Sequence, residues 1–161
     1  MNPYSAVLMK YAVFSGRARR SEYWVWILIN VIIGFVLSII DVFIWRGGNA
    51  PLSFSYRLVV LLPTICVTCR RLHDTGRSGW WGLPVFIGLI SSVVPRSVQV
   101  HISTLALPPS LNVASSIIIV LLVFIYLPAL GLLIYYLVSD SKPGPNKYGP
   151  YPKDVRTVPA S

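Results

Sequence analysis

Long uncharged runs separated by short clusters of arginine and lysine are the main pattern of this chain. One run extends from Tyr23 to Ile40, and another extends from Val113 to Val138. Uncharged apolar runs of about 18 residues or more are typical of helices that cross a membrane. Two shorter apolar runs lie between them. The pattern predicts four membrane-spanning helices, over approximately residues 23–45, 52–69, 80–95 and 113–138.

The two middle runs are short for a span. The second is closely bounded by Arg57 and Arg70, so we expect its helix to begin near Leu52 and the Arg57 side chain to reach outward to the membrane surface. We expect the third to tilt little or to lie in a locally thinned bilayer. In the fourth run, Pro128 predicts a kink.

Composition excludes an ordinary soluble domain. The chain has 161 residues, of which 55% are hydrophobic and only 12% charged, whereas soluble domains carry about 25% charged residues. We therefore predict an all-α integral membrane protein, with residues 1–140 as a four-span membrane domain. Residues 141–161 form a tail rich in proline and glycine.

The stretch YSAVLMKYAVF places Val7, Leu8, Tyr11, Ala12 and Phe14 at helical spacing, which predicts a short interfacial helix on the inner membrane surface.

The basic residues are divided unequally between the two sides of these spans. One side holds three, Arg46, Arg57 and Arg96, and the other holds the remaining eleven of the 14. The positive-inside rule then predicts that the N and C termini are both cytoplasmic. These inner loops also explain the basic pI of about 9.9, so nucleic acid is not an expected partner.

Three polar motifs fall on the predicted cytoplasmic side. They are FSGRARRSEYW (14–24), RRLHDTGRSGWW (70–81) and PGPNKYGPYP (143–152). They resemble the motifs of the bacterial YhaH-like inner-membrane family, domain of unknown function 805. The matching residues are Gly16, Arg17, Arg19, Arg20, Glu22, Tyr23 and Trp24; Arg71, Leu72, His73, Asp74, Arg77, Ser78, Trp80 and Trp81; and Gly144, Asn146, Tyr148, Gly149 and Pro152.

The resemblance covers roughly residues 11–152 and implies a small multi-span inner-membrane protein of no assigned activity. Two features of the chain depart from the family. The family's tail often carries an acidic residue just before its last proline, where this chain has Tyr151, and the stretch from Pro95 to Asn112 is longer than usual.

The charged residues of these motifs predict a cytoplasmic cap that binds an anion. Arginine matches phosphate with two parallel hydrogen bonds, and six arginines with only two nearby acids call for an anion, most simply a phospholipid headgroup. The predicted binding residues are Arg17, Arg19, Arg20, Arg70, Arg71, Arg77 and His73. The predicted structural organisers are Glu22, Asp74, Trp80, Trp81, Asn146 and Tyr148.

Other interpretations of the same residues stay open. RRLHDTGRSGWW is also typical of a polar turn between two helices, and a membrane-embedded enzyme could use His73 and Asp74 with Ser78 or Thr75 as nucleophile. Neighbouring side chains point apart in a helix or strand, however, so Asp74 could orient His73 only across a sharp turn. The predicted protein is therefore non-enzymatic, with no catalytic residue and no cofactor.

A small oligomeric transporter or pore is the main alternative. Carriers usually place an ionisable residue within the membrane, but Asp41 is expected at the outer boundary, within reach of Arg46. The C-x-x-C of Cys66 and Cys69 offers too few ligands for a structural zinc site, so no metal is predicted. The expected partners are anionic phospholipid and either a second copy of the chain or a membrane protein.

The charge distribution predicts that both termini are cytoplasmic. A reporter that is active only in the periplasm should be inactive when it is fused after Ser161 and active when it is inserted between Gly47 and Gly48 in the first outer loop. The opposite pattern of activity would show that the topology is inverted.

Overall fold

The structure, a computed structural model, describes residues 2–45, 50–93 and 109–152, with the backbone alone for residues 109–120. Within these ranges the chain is helical, and its one β-type pairing is an isolated bridge between Asn146 and Gly149. The helices are α1 (Pro3–Met9), α2 (Arg20–Trp45), α3 (Pro51–Asp74), a 3-10 helix (Gly79–Gly82), α4 (Leu83–Ser92) and α5 (Pro109–Val138). The predicted all-α membrane class is confirmed.

Three of these helices are long and apolar enough to cross a membrane: α2, α3 and the Leu121–Val138 part of α5. The predicted third span is a shorter apolar helix over Gly79–Ser92, so its crossing of the bilayer stays a prediction. α5 is one helix with Pro128 inside it. The predictions about Arg46, about the outer segment through residue 108 and about the tail beyond residue 152 fall outside the described residues.

α3 continues beyond the end expected for the second span. Its helix includes Arg70 and ends at Asp74. The turn that follows passes through Gly76, which has a φ of 77° that glycine adopts at little cost. The Gly76 N–H donates to the carbonyl of His73 at 3.0 Å, and the Arg77 N–H donates to that of Leu72 at 2.9 Å. The first half of RRLHDTGRSGWW is therefore helical rather than a loop.

α2 and α3 form an antiparallel pair joined by polar contacts along its length. At the predicted outer end, the buried Asp41 carboxylate accepts hydrogen bonds from the N–H groups of Leu52 (3.1 Å) and Ser53 (2.8 Å), and so caps the first turn of α3. Further in, the Tyr56 hydroxyl donates to the Asn30 side chain at 2.6 Å. The Trp26 indole N–H donates to the Thr64 hydroxyl at 3.0 Å. Thr64 and Asn30 thus connect the two helices, as side-chain hydrogen bonds do between membrane helices.

The N-terminal helix is confirmed but shorter than expected. Asn2 caps it, Pro3 is its first residue, and it ends at Met9. It packs on α2 and α3 through the fully buried Val7 and through Tyr4, whose ring stacks on that of Trp26 with centroids 4.9 Å apart. The buried face of this helix therefore contacts the α2–α3 pair.

Tyr11 compensates for a proline in the middle of α3. Pro63 has no N–H, so the carbonyl four residues earlier, that of Val59, lacks its helical donor. The Tyr11 hydroxyl donates to this carbonyl. The segment after α1 thus repairs a break in the hydrogen bonding of a membrane helix, where an unsatisfied carbonyl is costly.

The apolar core lies toward one end of the bundle. Its buried members come from α1, the segment before α2, and α2, α3 and α5: Val7, Ala18, Tyr23, Trp26, Val67, Leu72, Leu133 and Leu137. This is the end at which α3 and α5 finish and α2 begins. The packing brings the charged ends of three helices together.

The Tyr11 contact predicts that Tyr11→Phe lowers the free energy of unfolding by about 1–3 kcal/mol, because the Val59 carbonyl in the apolar helix α3 is left without a donor. The measurement is thermal unfolding of the purified protein in a neutral detergent. Tyr135→Phe is the matched control, because Tyr135 is 65% exposed. Equal melting temperatures for the two variants would contradict a repair role for Tyr11.

Candidate functional site

The three motifs meet at the end of the bundle where the core lies. The N–H of Ala18 in the first motif donates to the carbonyl of Arg70 at 3.1 Å. From the C-terminal segment, the N–H of Lys142 donates to the carbonyl of Asp74 at 3.2 Å, and the Asn146 side chain donates to that of His73 at 2.9 Å. Stretches more than 50 residues apart in sequence are thereby joined around the last turn of α3.

The carboxylate of Asp74 is the centre of this cluster. It accepts from Arg17 Nε at 2.9 Å, from Arg71 Nη1 at 2.5 Å and from the hydroxyl of Ser141. The Asp74 and Arg71 side chains are fully buried, and that of Arg17 is almost so. One carboxylate therefore bridges two guanidinium groups out of contact with solvent.

The other donors of the two guanidinium groups bind backbone carbonyls. Arg17 donates to the carbonyls of Gly144 at 2.8 Å and Lys142 at 2.7 Å. Arg71 donates to the carbonyl of Leu137 at 3.0 Å and to that of Ser139, which lie at the C-terminal end of α5. Carbonyls at a helix C-terminus carry partial negative charge, so they supplement the single carboxylate. Arg17 and Arg71 are thus committed to contacts within the protein.

His73 holds the tail in place. Its ring stacks on that of Tyr148, with centroids 3.8 Å apart and planes 3° from parallel, and its Nδ1 lies 3.3 Å from the carbonyl oxygen of Gly16. The Asn146 side chain accepts from the Tyr148 N–H at 2.9 Å, which fixes the turn that presents this ring. Asp74, the other residue of the enzyme interpretation, is bound to the two arginines instead.

The remaining arginines have different surroundings. Arg19 is exposed and donates to the carbonyl of Pro152 at 2.6 Å, whereas Arg20 is paired with Asp140 at 2.6 Å. Arg77 is exposed and lies over the rings of Trp81 and Tyr136. Arg70 is fully buried beside Glu22, and none of its side-chain nitrogens has a partner in the part of the chain that the structure describes.

Sequence reasoning missed two participants, Asp140 and Ser141. They lie two and three residues beyond Val138, the last residue of α5, and this position at the end of an apolar run was the available signal. Asp140 is a third acid near the six arginines, so the predicted charge imbalance is smaller than the count of two acids implied. Tyr151 occupies the position where the family often has an acid, so no ion pair was expected there. Its ring lies 5.4 Å from the Arg17 guanidinium, which is a cation–π contact.

The tryptophans and cysteines lie beside the cluster. Trp80 is 75% exposed and Trp81 is 42% exposed, and both belong to the 3-10 helix that leads into α4. Cys66 and Cys69 are buried free thiols, and Cys69 packs closely against Gly79. Among the described residues no group of three or more His, Cys, Asp or Glu side chains could hold a metal ion.

The buried triad predicts a large effect for Asp74→Asn. Removing the charge leaves two buried guanidinium groups without their counter-ion, a loss of about 3–5 kcal/mol. The matched control is Asp140→Asn, which removes the exposed partner of Arg20 and should cost at most about 1 kcal/mol. Thermal unfolding in detergent measures both. Similar small shifts for the two variants would show that Asp74 is not the central contact.

Comparison with known proteins agrees with this architecture. Residues 11–150 match the family described as "Protein of unknown function (DUF805)". The chain is 45% identical over 97 residues to the Escherichia coli (strain K12) inner membrane protein YhaH, covering 58% of this chain and 80% of that protein. It is also 45% identical over 95 residues to the inner membrane protein YhaI of the same strain, covering 58% and 79%. No solved structure matches. The matched residues 11–150 contain the first two motifs, the first eight residues of the third, and Asp74 with its donors Arg17, Arg71 and Ser141. The chain belongs to the DUF805 family.

Proposed function

We propose that this protein is a non-enzymatic component of the bacterial inner membrane whose cytoplasmic cap binds the phosphate groups of anionic lipids, with Arg77 as the main contact. The observation that carries the proposal is the environment of Arg77. Its guanidinium lies 4.6 Å from the centroid of the Tyr136 ring and 5.6 Å from that of Trp81. The side chain is exposed, and in the part of the chain that the structure describes its guanidinium contacts these rings without a hydrogen bond or ion pair.

Stacking on aromatic rings positions the guanidinium without using its donors. An arginine held by ring faces keeps its N–H edges available, and those edges match two oxygens of a phosphate. Trp81 and Tyr136 also contact each other edge to face, with centroids 5.7 Å apart, so Arg77 rests on a defined aromatic surface. The geometry favours a fixed phosphate contact over diffuse attraction.

The surroundings of Arg77 match the level of lipid headgroups. The neighbouring Trp80 is largely exposed, and tryptophan is enriched where membrane helices meet the headgroup region. Lys142 and Lys147 are exposed at the same end, and a basic residue near an anionic leaflet gains about 1 kcal/mol. The cap thus combines one positioned arginine with a general positive field.

Orientation and location support the same proposal. The eleven basic residues on the side of the cap favour the cytoplasmic face, and two relatives in the same family are named inner membrane proteins. For the transport alternative, Asp41 is the acid that falls within a predicted span, and its carboxylate is used as the cap of α3. Lipid binding therefore needs fewer assumptions than transport.

The proposal predicts that phosphatidylglycerol raises the melting temperature of the protein in neutral detergent, because a ligand of the native state stabilises it. Arg77→Gln should weaken the apparent affinity about tenfold or more. Arg77→Lys, which keeps the charge and loses the fork, should fall between parent and Arg77→Gln.

Lys147→Gln is the matched control, since it removes one exposed charge from the same end without touching the aromatic surface of Arg77. In neutral detergent, where no anionic leaflet is present to attract exposed charges, its affinity for phosphatidylglycerol should fall much less than that of Arg77→Gln. Equal losses in Arg77→Gln and Lys147→Gln would mean that the attraction is diffuse and would reject a specific role for Arg77.

A further inference from the structure

Arg70 has an environment that a protein interior rarely tolerates. Its side chain is fully buried, and Nε, Nη1 and Nη2 have no hydrogen-bond partner among the described residues. Arginine does not lose its proton in proteins, so the group cannot escape the cost by becoming neutral. Buried polar atoms without partners are exceptional in folded proteins and call for an explanation, such as a bound molecule.

Glu22 presents the complementary problem at the same place. Its Oε2 atom is also buried and lacks a partner in the described ranges. Glu22 lies in the first turn of α2, just after the segment in which the Ala18 N–H donates to the Arg70 carbonyl at 3.1 Å. Its carboxylate is near enough to act electrostatically on the Arg70 guanidinium. No direct ion pair joins the two side chains. A positive and a negative group thus face the same region, each with unused hydrogen-bonding capacity.

These two groups define what would satisfy them. Arg70 needs several acceptor atoms, because its guanidinium has five N–H donors, whereas one water molecule accepts only about two. Glu22 needs a donor. A simple anion would meet repulsion from the Glu22 carboxylate, and a simple cation would meet repulsion from Arg70. A ligand that satisfies both groups carries a phosphate and, a few bonds away, a cation with N–H donors.

We propose that Arg70 and Glu22 form a site for a phosphate ester bearing a primary ammonium group, as in the headgroup of phosphatidylethanolamine. Arg70 binds the phosphate oxygens, and Glu22 accepts from the ammonium. The lipid is the favoured source because the site lies where α2 begins and α3 ends. Trp24, near the start of α2, is 41% exposed, and exposed tryptophan is typical of the headgroup level. The proposed headgroup approaches Arg70 from the side of Glu22, which is only partly buried.

This site is separate from the surface around Arg77 and does not depend on it. The two differ in chemistry, because Arg77 stands on aromatic rings with no carboxylate contact among the described residues, whereas Arg70 is matched with an acid. An anionic lipid should prefer the first and an ethanolamine lipid the second. Failure of one proposal therefore leaves the other intact.

The test compares two neutral lipids that differ only in N-methylation. Thermal unfolding of the full chain is measured in neutral detergent with short-chain phosphatidylethanolamine, with the matching phosphatidylcholine and with free O-phosphoethanolamine. We expect phosphatidylethanolamine to raise the melting temperature more than phosphatidylcholine, whose quaternary ammonium has no N–H to donate to Glu22. Free O-phosphoethanolamine should have the smaller effect at equal concentration. If free O-phosphoethanolamine instead raised the melting temperature more than the lipid, the site would still recognise a phosphate ester with an ammonium group, but its ligand would be a soluble molecule.

Glu22→Gln tests the assignment of the ammonium. This variant removes a charge from a partly buried side chain of similar shape and should weaken the apparent affinity for phosphatidylethanolamine about tenfold or more. It should thereby abolish the preference over phosphatidylcholine. Arg77→Gln is the control and should retain that preference. The proposal is overturned if the parent responds equally to the two lipids, or if Glu22→Gln keeps the full preference for phosphatidylethanolamine.

Discussion

The buried carboxylate of Asp74 ties together three segments that are remote in sequence. It receives Arg17 from the segment before α2, Arg71 from its own helix and Ser141 from the tail. Two guanidinium groups against one carboxylate would leave excess positive charge, and the carbonyls at the end of α5 and in the tail offset it. The path of the tail and the approach to α2 therefore both depend on one acid at the end of α3.

The Asp74 cluster separates the arginines of this protein into two kinds. Arg17 and Arg71 have used their donors inside the fold, and Arg20 is paired with Asp140. Arg70 and Arg77 keep donors free within the described residues, one in the interior and one on an aromatic surface. A guanidinium with free donors needs a rigid support to act as a binding site. The arginines bound inside the fold provide that support for Arg70 and Arg77. Arg71 thus stabilises the structure, whereas its neighbour Arg70 is proposed to bind a ligand.

Sequence patterns predicted the helical membrane class, the extent of α2 and the meeting of the three motifs at one end, because these follow from apolar runs and from topology. They could not assign different roles to Arg70 and Arg71. Adjacent residues of a helix point in different directions, and only the packing shows that one faces Asp74 and the other faces Glu22. Likewise, the donor that Tyr11 supplies to the Val59 carbonyl, left free by Pro63, depends on how the segment after α1 folds back onto α3.

A buried ionic cluster is a costly way to join three segments, since apolar residues of similar volume often hold a fold equally well. Charged groups add directional hydrogen bonds, which form only in a particular geometry. The hydrogen bonds of Arg17 and Arg71 are satisfied only in one register of the tail against α3 and α5, whereas an apolar contact tolerates sliding. That register places His73 against Tyr148 and fixes the turn that carries Arg77. A binding surface at the membrane boundary needs such alignment, because a phosphate contact depends on the direction of each N–H bond. The cost of burying charge at Asp74 is thus connected to the accuracy with which the exposed end of the protein is held.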